Sequence, residues 1–231
     1  MNNKQIGSFL ISLAFCLLSS ARAGGYVLNY SEDGSAAKWY IANVDVYVDS
    51  SVEEIAPDAF DIINAAFLEW RDIDGAYPPN ITLHRDAVGI NNISVSNNKS
   101  SNDLAITYIE YDDRGIVLSA SIEVNNYNGK FSHPNKYDFQ NVMTHEVGHF
   151  FGLNESPDPN SSMYAYSSVG ETLKRTLSED DEMGMKFLYG APENSGCSFR
   201  ANTHDNSFAL FIFVVIVMAK TRYASNLFRV K

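Results

Sequence analysis

The chain has 231 residues, 45% of them hydrophobic and 13% aromatic, enough for one domain with a real core and short appendages. Residues 24–206 hold all 28 Asp and Glu but only 11 of the 17 Lys and Arg, a net charge of −17. That sign argues against nucleic-acid binding; it is compatible with calcium sites or cationic substrates, and it chiefly favours solubility.

Residues 1–23 run from Lys4 through the apolar stretch Phe9 to Leu18 and end in Ala21-Arg22-Ala23. This is the layout of a cleaved export signal. Cys16 would leave with it, so that only Cys197 remains and no intramolecular disulfide can form. Within 38–51 the alternation of Val44, Val46 and Val48 predicts a strand. Phe60, Ile63, Phe67 and Trp70 then recur at helical spacing after Pro57. "NITLHRDAV", 80–88, offers a second strand, and the Asn/Ser-rich stretch 89–103 reads as a loop. Residues 103–126 suit two strands around the turn "DDRG". "DFQNVMTHEVGHFF", 138–151, reads as a helix with Asp138 as N-cap. "LSEDDEMGMKFLYG", 177–190, reads as another, with Ser178 and Asp181 at capping-box spacing. Residues 24–190 are therefore expected to form an α+β domain, with 191–206 as a polar linker.

The uncharged run "SFALFIFVVIVMA", 207–219, is followed by Lys220, Arg222, Arg229 and Lys231. It falls short of the roughly 20 apolar residues that cross a bilayer, but basic residues beyond it fit a stop at the cytoplasmic face. With Gly196-Cys197 it also resembles bacterial C-terminal sorting tags. Residues 207–231 are expected to be a membrane anchor or a processed sorting tail; the alternative is a last strand or helix of the core. The expected location is outside the cytoplasm, in the envelope or beyond.

The chemistry concentrates in "THEVGHFFGLNES", 144–156. Residues i and i+4 share a helix face, so His145 and His149 can aim two imidazoles at one point. Neutral imidazole is a good zinc ligand. Glu146, turned away from that pair but at the level of the metal, can take a proton from an activated water. Gly152 permits a sharp bend with positive φ. The bend can carry Glu155 back beneath the histidines as a third donor, leaving a fourth position for water. His84, His133 and His204 lack partners at ligand spacing, and Asp112 and Asp113 belong first to a turn, which leaves Ca2+ binding possible but unsupported.

The pattern H-E-x-x-H-x-x-G-x-x-[third ligand] resembles the metzincin signature, and "GLNES" resembles the matrixin segment G-L-x-H-S. "SSMYAY" is similar to the Met-turn, which would set Met163 below the metal as an apolar floor. "LSEDDEMGMKFLYG" resembles the last matrixin helix, "RGIVLSASIEVNN" the strand before the active-site helix, and "DAFDIINAAFLEWRDI" the first helix. The resemblance spans about residues 36–190. It implies a twisted mixed sheet with a first, an active-site and a C-terminal helix. It also implies that Asp181 braces the Met-turn and that Asp180 tethers a new N-terminal amine near Gly24, the alternative being that two acids in a helix's first turn simply favour its dipole. Tyr164 and Tyr166, which follow Met163, are candidates for a substrate pocket or equally for aromatic packing. The third ligand position departs from the pattern, holding Glu155 in place of His. A carboxylate is a sound zinc donor, but its charge should make the bound water less acidic. With cleavage near Gly24 the short stretch before the first strand is expected to leave no room for a folded pro-region with its cysteine switch.

The expected function is a zinc endopeptidase acting on an extended polypeptide paired with an edge strand within 104–110. His145, His149 and Glu155 would hold one zinc and Glu146 would serve as general base. Membrane contact is expected through 207–219. Two rivals use the same residues: a catalytically inactive binding module at the cell surface, and an envelope protein with purely structural zinc.

Overall fold

A computed structural model describes residues 25–131 and 136–191, and the backbone of 226–230. Among the described residues, eight strands and three α-helices follow in chain order. They are β1 (Val27–Leu28), β2 (Asn43–Val48), α1 (Ala59–Arg71), β3 (Asn80–Arg85), β4 (Asn92–Ser96), β5 (Ala105–Tyr111), β6 (Val117–Asn125), α2 (Phe139–Phe150), β7 (Leu153–Asn154), α3 (Glu179–Tyr189) and β8 (Asn226–Val230). The main sheet has the order β3-β2-β4-β6-β5-β8, and β1 pairs separately with β7. β3, β2, β4 and β6 are parallel, whereas β5 runs antiparallel to both β6 and β8. This is a mixed-sheet α+β domain with a first, a central and a last helix.

The sheet corrects one expectation. Residues 89–103 are not loop throughout, because β4 lies in the middle of the sheet between β2 and β6. Its backbone pairs in parallel with both neighbours and Ile93 is fully buried. The surrounding Asn and Ser hide a two-residue alternation that ends after Val95; the ladder hydrogen bonds, not composition, make the strand.

Val44, Val46 and Val48 of β2, Ile93 of β4 and Ile122 and Val124 of β6 face the buried side. Against them pack Ile63, Phe67 and Trp70 of α1 and Val142, Met143, Val147 and Phe150 of α2. Two indoles lock α2 in place. Trp70 Nε1 donates to Thr144 O at 2.7 Å and Trp39 Nε1 to Phe150 O at 2.9 Å. Asp138 caps α2 by accepting from Asn141 N at 2.8 Å, and the Ser178–Asp181 capping box is present at the start of α3.

The segments 1–23 and 207–219, and the residues His133, Cys197 and His204, lie outside the described residues. Among the described residues no helix is long and apolar enough to cross a membrane.

Candidate metal centre

α2 is buried along its length, and His145, Glu146 and His149 have no solvent exposure. The hydrogen bonds of the rings fix their tautomers. His145 Nδ1 lies 2.7 Å from Ser162 O, and His149 Nδ1 lies 2.9 Å from Leu153 O. Carbonyl oxygens only accept, so each Nδ1 carries the proton and each Nε2 presents a lone pair. Those two Nε2 atoms stand 3.0 Å apart. Burial pushes the pKa of His149 down to about 4, and burial first, then the neighbouring His149, holds His145 well below its usual value. Two neutral rings with lone pairs converging at this distance repel unless they share a cation.

Glu155 supplies the negative charge. Its Oε2 is 3.8 Å from His145 Nε2 and its Oε1 is 3.8 Å from His149 Nε2. With both imidazoles neutral these approaches are not ion pairs; they are three donors facing one point. One ligand atom from each of the three residues lies within 4.8 Å of the others. Donors bound tetrahedrally at about 2.0–2.2 Å stand about 3.3–3.6 Å apart, so the observed spacings bracket what zinc requires. A His₂-carboxylate donor set suits that ion.

The bend that delivers Glu155 depends on Gly152, whose φ is 107°. A Cβ there would lie 2.1 Å from Ala37 O. Asn29 N donates to Gly152 O at 3.1 Å, and β7 then pairs with β1. The N-terminal strand thus clamps the turn between His149 and Glu155.

Met163, 1% exposed, packs against α2 at Gly148. Its Sδ would stand 2.2 Å from a Cβ placed on Gly148, so the glycine in "HEVGH" is what lets the methionine approach. Asp181, also buried, gathers the Met163 turn. Its carboxylate accepts from Ser161 Oγ at 2.5 Å, Ser162 N at 2.8 Å, Met163 N at 3.2 Å, Ser178 N at 2.8 Å and Ser178 Oγ at 2.7 Å. Ser162 is also the residue whose carbonyl orients His145, so α3 reaches the metal donors through one residue. Asp180 Oδ2 accepts from Ser156 Oγ at 2.8 Å, and its Oδ1 is buried without a hydrogen-bond partner among the described residues. Gly24 lies outside those residues.

Glu146 points toward β5. Thr107 Oγ1 lies 2.5 Å from Glu146 Oε2 and 3.2 Å from Glu146 O. The other carboxylate oxygen, Oε1, is buried with no hydrogen-bond partner among the described residues. Burial raises the pKa of Glu146 to about 8, the Thr107 hydroxyl opposes the rise, and Glu155 and Asp103 add to it. A dication held by the neighbouring donors would draw that value down.

Tyr164 is half-buried and Tyr166 exposed, with ring centroids 5.7 Å apart. Lys174, which no local pattern marks, is 1% exposed beside them. Its Nζ donates to Tyr166 O at 2.6 Å, Ser167 Oγ at 2.9 Å and Glu171 Oε1 at 2.8 Å. Asn141 of α2 accepts from Lys174 N at 2.8 Å. The loop after the Met163 turn is thereby pinned to the helix that carries the histidines. Thr107 and Lys174 carry no local sequence signal, because their partners lie far along the chain; Gly148 does, through its place inside the histidine motif. His84 pairs with Asp45 at 2.8 Å on the surface, and Asp112 accepts from Arg114 N and Ile116 N within its turn. Neither joins the site.

The family Peptidase_M10, described as Matrixin, matches residues 38–190. Human Matrilysin is 41% identical over 58 residues, 25% of this chain and 22% of that protein. Metalloendoproteinase 2-MMP of Arabidopsis thaliana is 40% identical over 57 residues, 25% of this chain and 15% of its own. Human Neutrophil collagenase is 38% identical over 58 residues, 25% of this chain and 12% of that protein. The chain thus matches less than a quarter of the length of each of these relatives.

Proposed function

The chain belongs to the matrixin family, and from that premise we propose that it is a zinc-dependent endopeptidase acting on proteins outside the cytoplasm. One observation carries the proposal: two buried imidazoles, each with Nδ1–H spent on a carbonyl, turn their lone pairs toward each other at 3.0 Å with a carboxylate alongside. His145, His149 and Glu155 would hold the ion. Zinc, when bound, acidifies a water molecule and polarises the carbonyl of the peptide bond.

The rest falls to the chain's own groups. Glu146 accepts the proton of the attacking water at Oε1, the oxygen that Thr107 leaves free, and delivers it to the departing amine nitrogen. Thr107 holds the other oxygen, so the carboxylate cannot swing away from the histidines. Met163 and Gly148 keep the underside of the site dry and closely packed. Lys174 fixes the loop that carries Tyr164 and Tyr166, the candidates for contact with the substrate side chain. Asp180, with an oxygen unsatisfied beside Ser156, would take the amine of a chain trimmed near Gly24.

The substrate would lie as an extended strand on β5. β8 shows that this edge accepts an antiparallel partner, from Asn226 opposite Ile109 to Val230 opposite Ala105, and a substrate would take its place. A tail that crossed a membrane at 207–219 would leave 226–230 on the far side, so the anchored tail and the β8 pairing are alternative states.

Metal analysis of the purified protein and cleavage of an unstructured protein substrate by wild type and Glu146→Ala provide the test. About one zinc per chain and a loss of cleavage of roughly 10²-fold or more in the variant are expected. Cleavage that survives in Glu146→Ala would reject the mechanism; zinc without any wild-type cleavage would favour a structural or binding role.

A further inference from the structure

At the Ala105 end of β5 the chain opens into a cavity of about 340 Å³ lined by Lys99, Ser101, Asn102, Tyr127, Lys130 and Lys136, among others. Three of the 11 basic residues of an acid-rich segment therefore meet in one place. Two of the ammonium groups rest on backbone oxygens. Lys130 Nζ donates to Asp103 O at 2.8 Å and Asn102 O at 3.2 Å, and Lys136 Nζ donates to Asn128 O at 3.3 Å. Lys99 is exposed and makes no ion pair among the described residues. The nearby acid is Asp103, whose carboxylate accepts from Ser101 Oγ at 2.8 Å. Burial lowers the pKa of Lys130 while Asp103 pulls the other way, so this ammonium is short of solvation.

The direction of a strand on β5 leads to this cavity. β8 runs from a position opposite Ile109 to one opposite Ala105. A peptide laid in the same sense leaves the sheet over residues 101–103. Thr107, which touches Glu146, marks the level of the reacting bond. Asn102 is five residues further along, about 17 Å at the rise of a strand.

We propose that this cavity is a carboxylate-binding subsite, in which Lys99, Lys130 and Lys136 receive an Asp or Glu carried about three to five residues after the bond that is cut. The inference takes the direction and position of the substrate from the peptidase reading above. The net charge of the segment repels acidic peptides only at long range, because screening at 0.1 M salt confines each charge to about 10 Å. Within the cavity the three ammonium groups act on the ligand directly. The site therefore favours one acid at a set distance from the cleavage point, not a uniformly acidic peptide.

Two peptides identical except for Glu or Gln at the fourth residue after the scissile bond test the idea. Their binding is measured by fluorescence anisotropy on the zinc-loaded full chain carrying Glu146→Gln, and their cleavage on the wild type. The Glu peptide should bind about three- to tenfold more tightly at low salt, and the margin should shrink at 0.5 M NaCl. In Lys99→Gln/Lys136→Gln the preference should fall to less than half, with only Lys130 left, while the Gln peptide is bound and cut as before. Equal binding of the two peptides by the unsubstituted cavity, or a preference undiminished in the double variant, overturns the subsite. If neither peptide is cut but the Glu peptide is still preferred, the peptidase reading fails and the cavity stands as a carboxylate-binding site without a cleavage register; if both are cut and bound equally well, only the subsite fails.

Discussion

Replacing Asp181 separates the support of the metal donors from the chemistry they perform. Its carboxylate accepts five hydrogen bonds inside the protein, three of them from backbone amides; Met163 N also donates to Ser161 Oγ, whereas the amides of Ser162 and Ser178 have no other acceptor among the described residues. Asp181→Ala strands those amides at about 1–3 kcal/mol each and loosens the serine hydroxyls, a total cost of about 3–5 kcal/mol after partial relaxation. Asp181→Asn keeps one acceptor but turns an NH₂ toward an amide donor, so it should cost about 2–3 kcal/mol. For a domain of this size each kcal/mol lowers Tm by about 2–4 °C, which puts the Ala variant roughly 10 °C below wild type. The same change frees Ser162, whose carbonyl orients His145, and loss of such an outer hydrogen bond weakens metal binding by about 10–100-fold. Thermal unfolding of the metal-free protein, with zinc titration against a competing chelator, measures both effects. Glu182→Gln on the same helix, whose pair with Lys186 is about two-fifths exposed, should change neither by more than about 0.5 kcal/mol. An Asp181→Ala protein that melts within 2 °C of wild type and binds zinc equally well would refute the reasoning.

Gly152→Ala should destabilise the chain by about 3 kcal/mol or more, because it adds a Cβ 2.1 Å from Ala37 O at a φ of 107°. Zinc affinity should fall with it, since the turn carries Glu155; an unchanged chelator competition would show that the bend is not needed. Thr107→Val removes the hydroxyl from Glu146 while keeping the shape, and should lower kcat about tenfold with KM little changed. Thr107→Ser should restore most of it, and a Ser variant as slow as Val would point to packing instead. In the metal-free protein the raised pKa of Glu146, about 8 against 4.5 unfolded, gives a signed pH dependence. The protonated carboxyl suits the folded state, so its contribution is complete below about pH 4.5 and is lost as pH rises through 8. Glu146→Gln, which resembles the protonated form, should therefore stabilise the metal-free chain by about 3 kcal/mol at pH 7 but by less than about 1 kcal/mol at pH 5. Melting curves in chelator at the two pH values check this, and equal gains at both would contradict it.

Much of this molecule could be read in one dimension wherever the signal was local. The alternation of Val44, Val46 and Val48 marks β2, the spacing of Ile63, Phe67 and Trp70 marks α1, and Ser178 with Asp181 marks the start of α3, because period and capping depend on neighbours a few residues away. The two histidines of α2 converge for the same reason: four residues on one helix are one turn. What the sequence left undetermined depended on partners far along the chain. β4 is a strand because β2 and β6 flank it, not because Asn and Ser favour strands. Thr107 meets Glu146 only when β5 lies beside α2, and Lys174 is buried only because Asn141, Tyr166 and Glu171 close around it. Gly152 was visible as a glycine, but that its turn is clamped by β1 and closed against Ala37 is a long-range fact. Helix periodicity by itself set two imidazoles side by side; only the packing of β1, α3 and the Met163 turn fixed their tautomers, and it is those fixed tautomers that aim both lone pairs at one point.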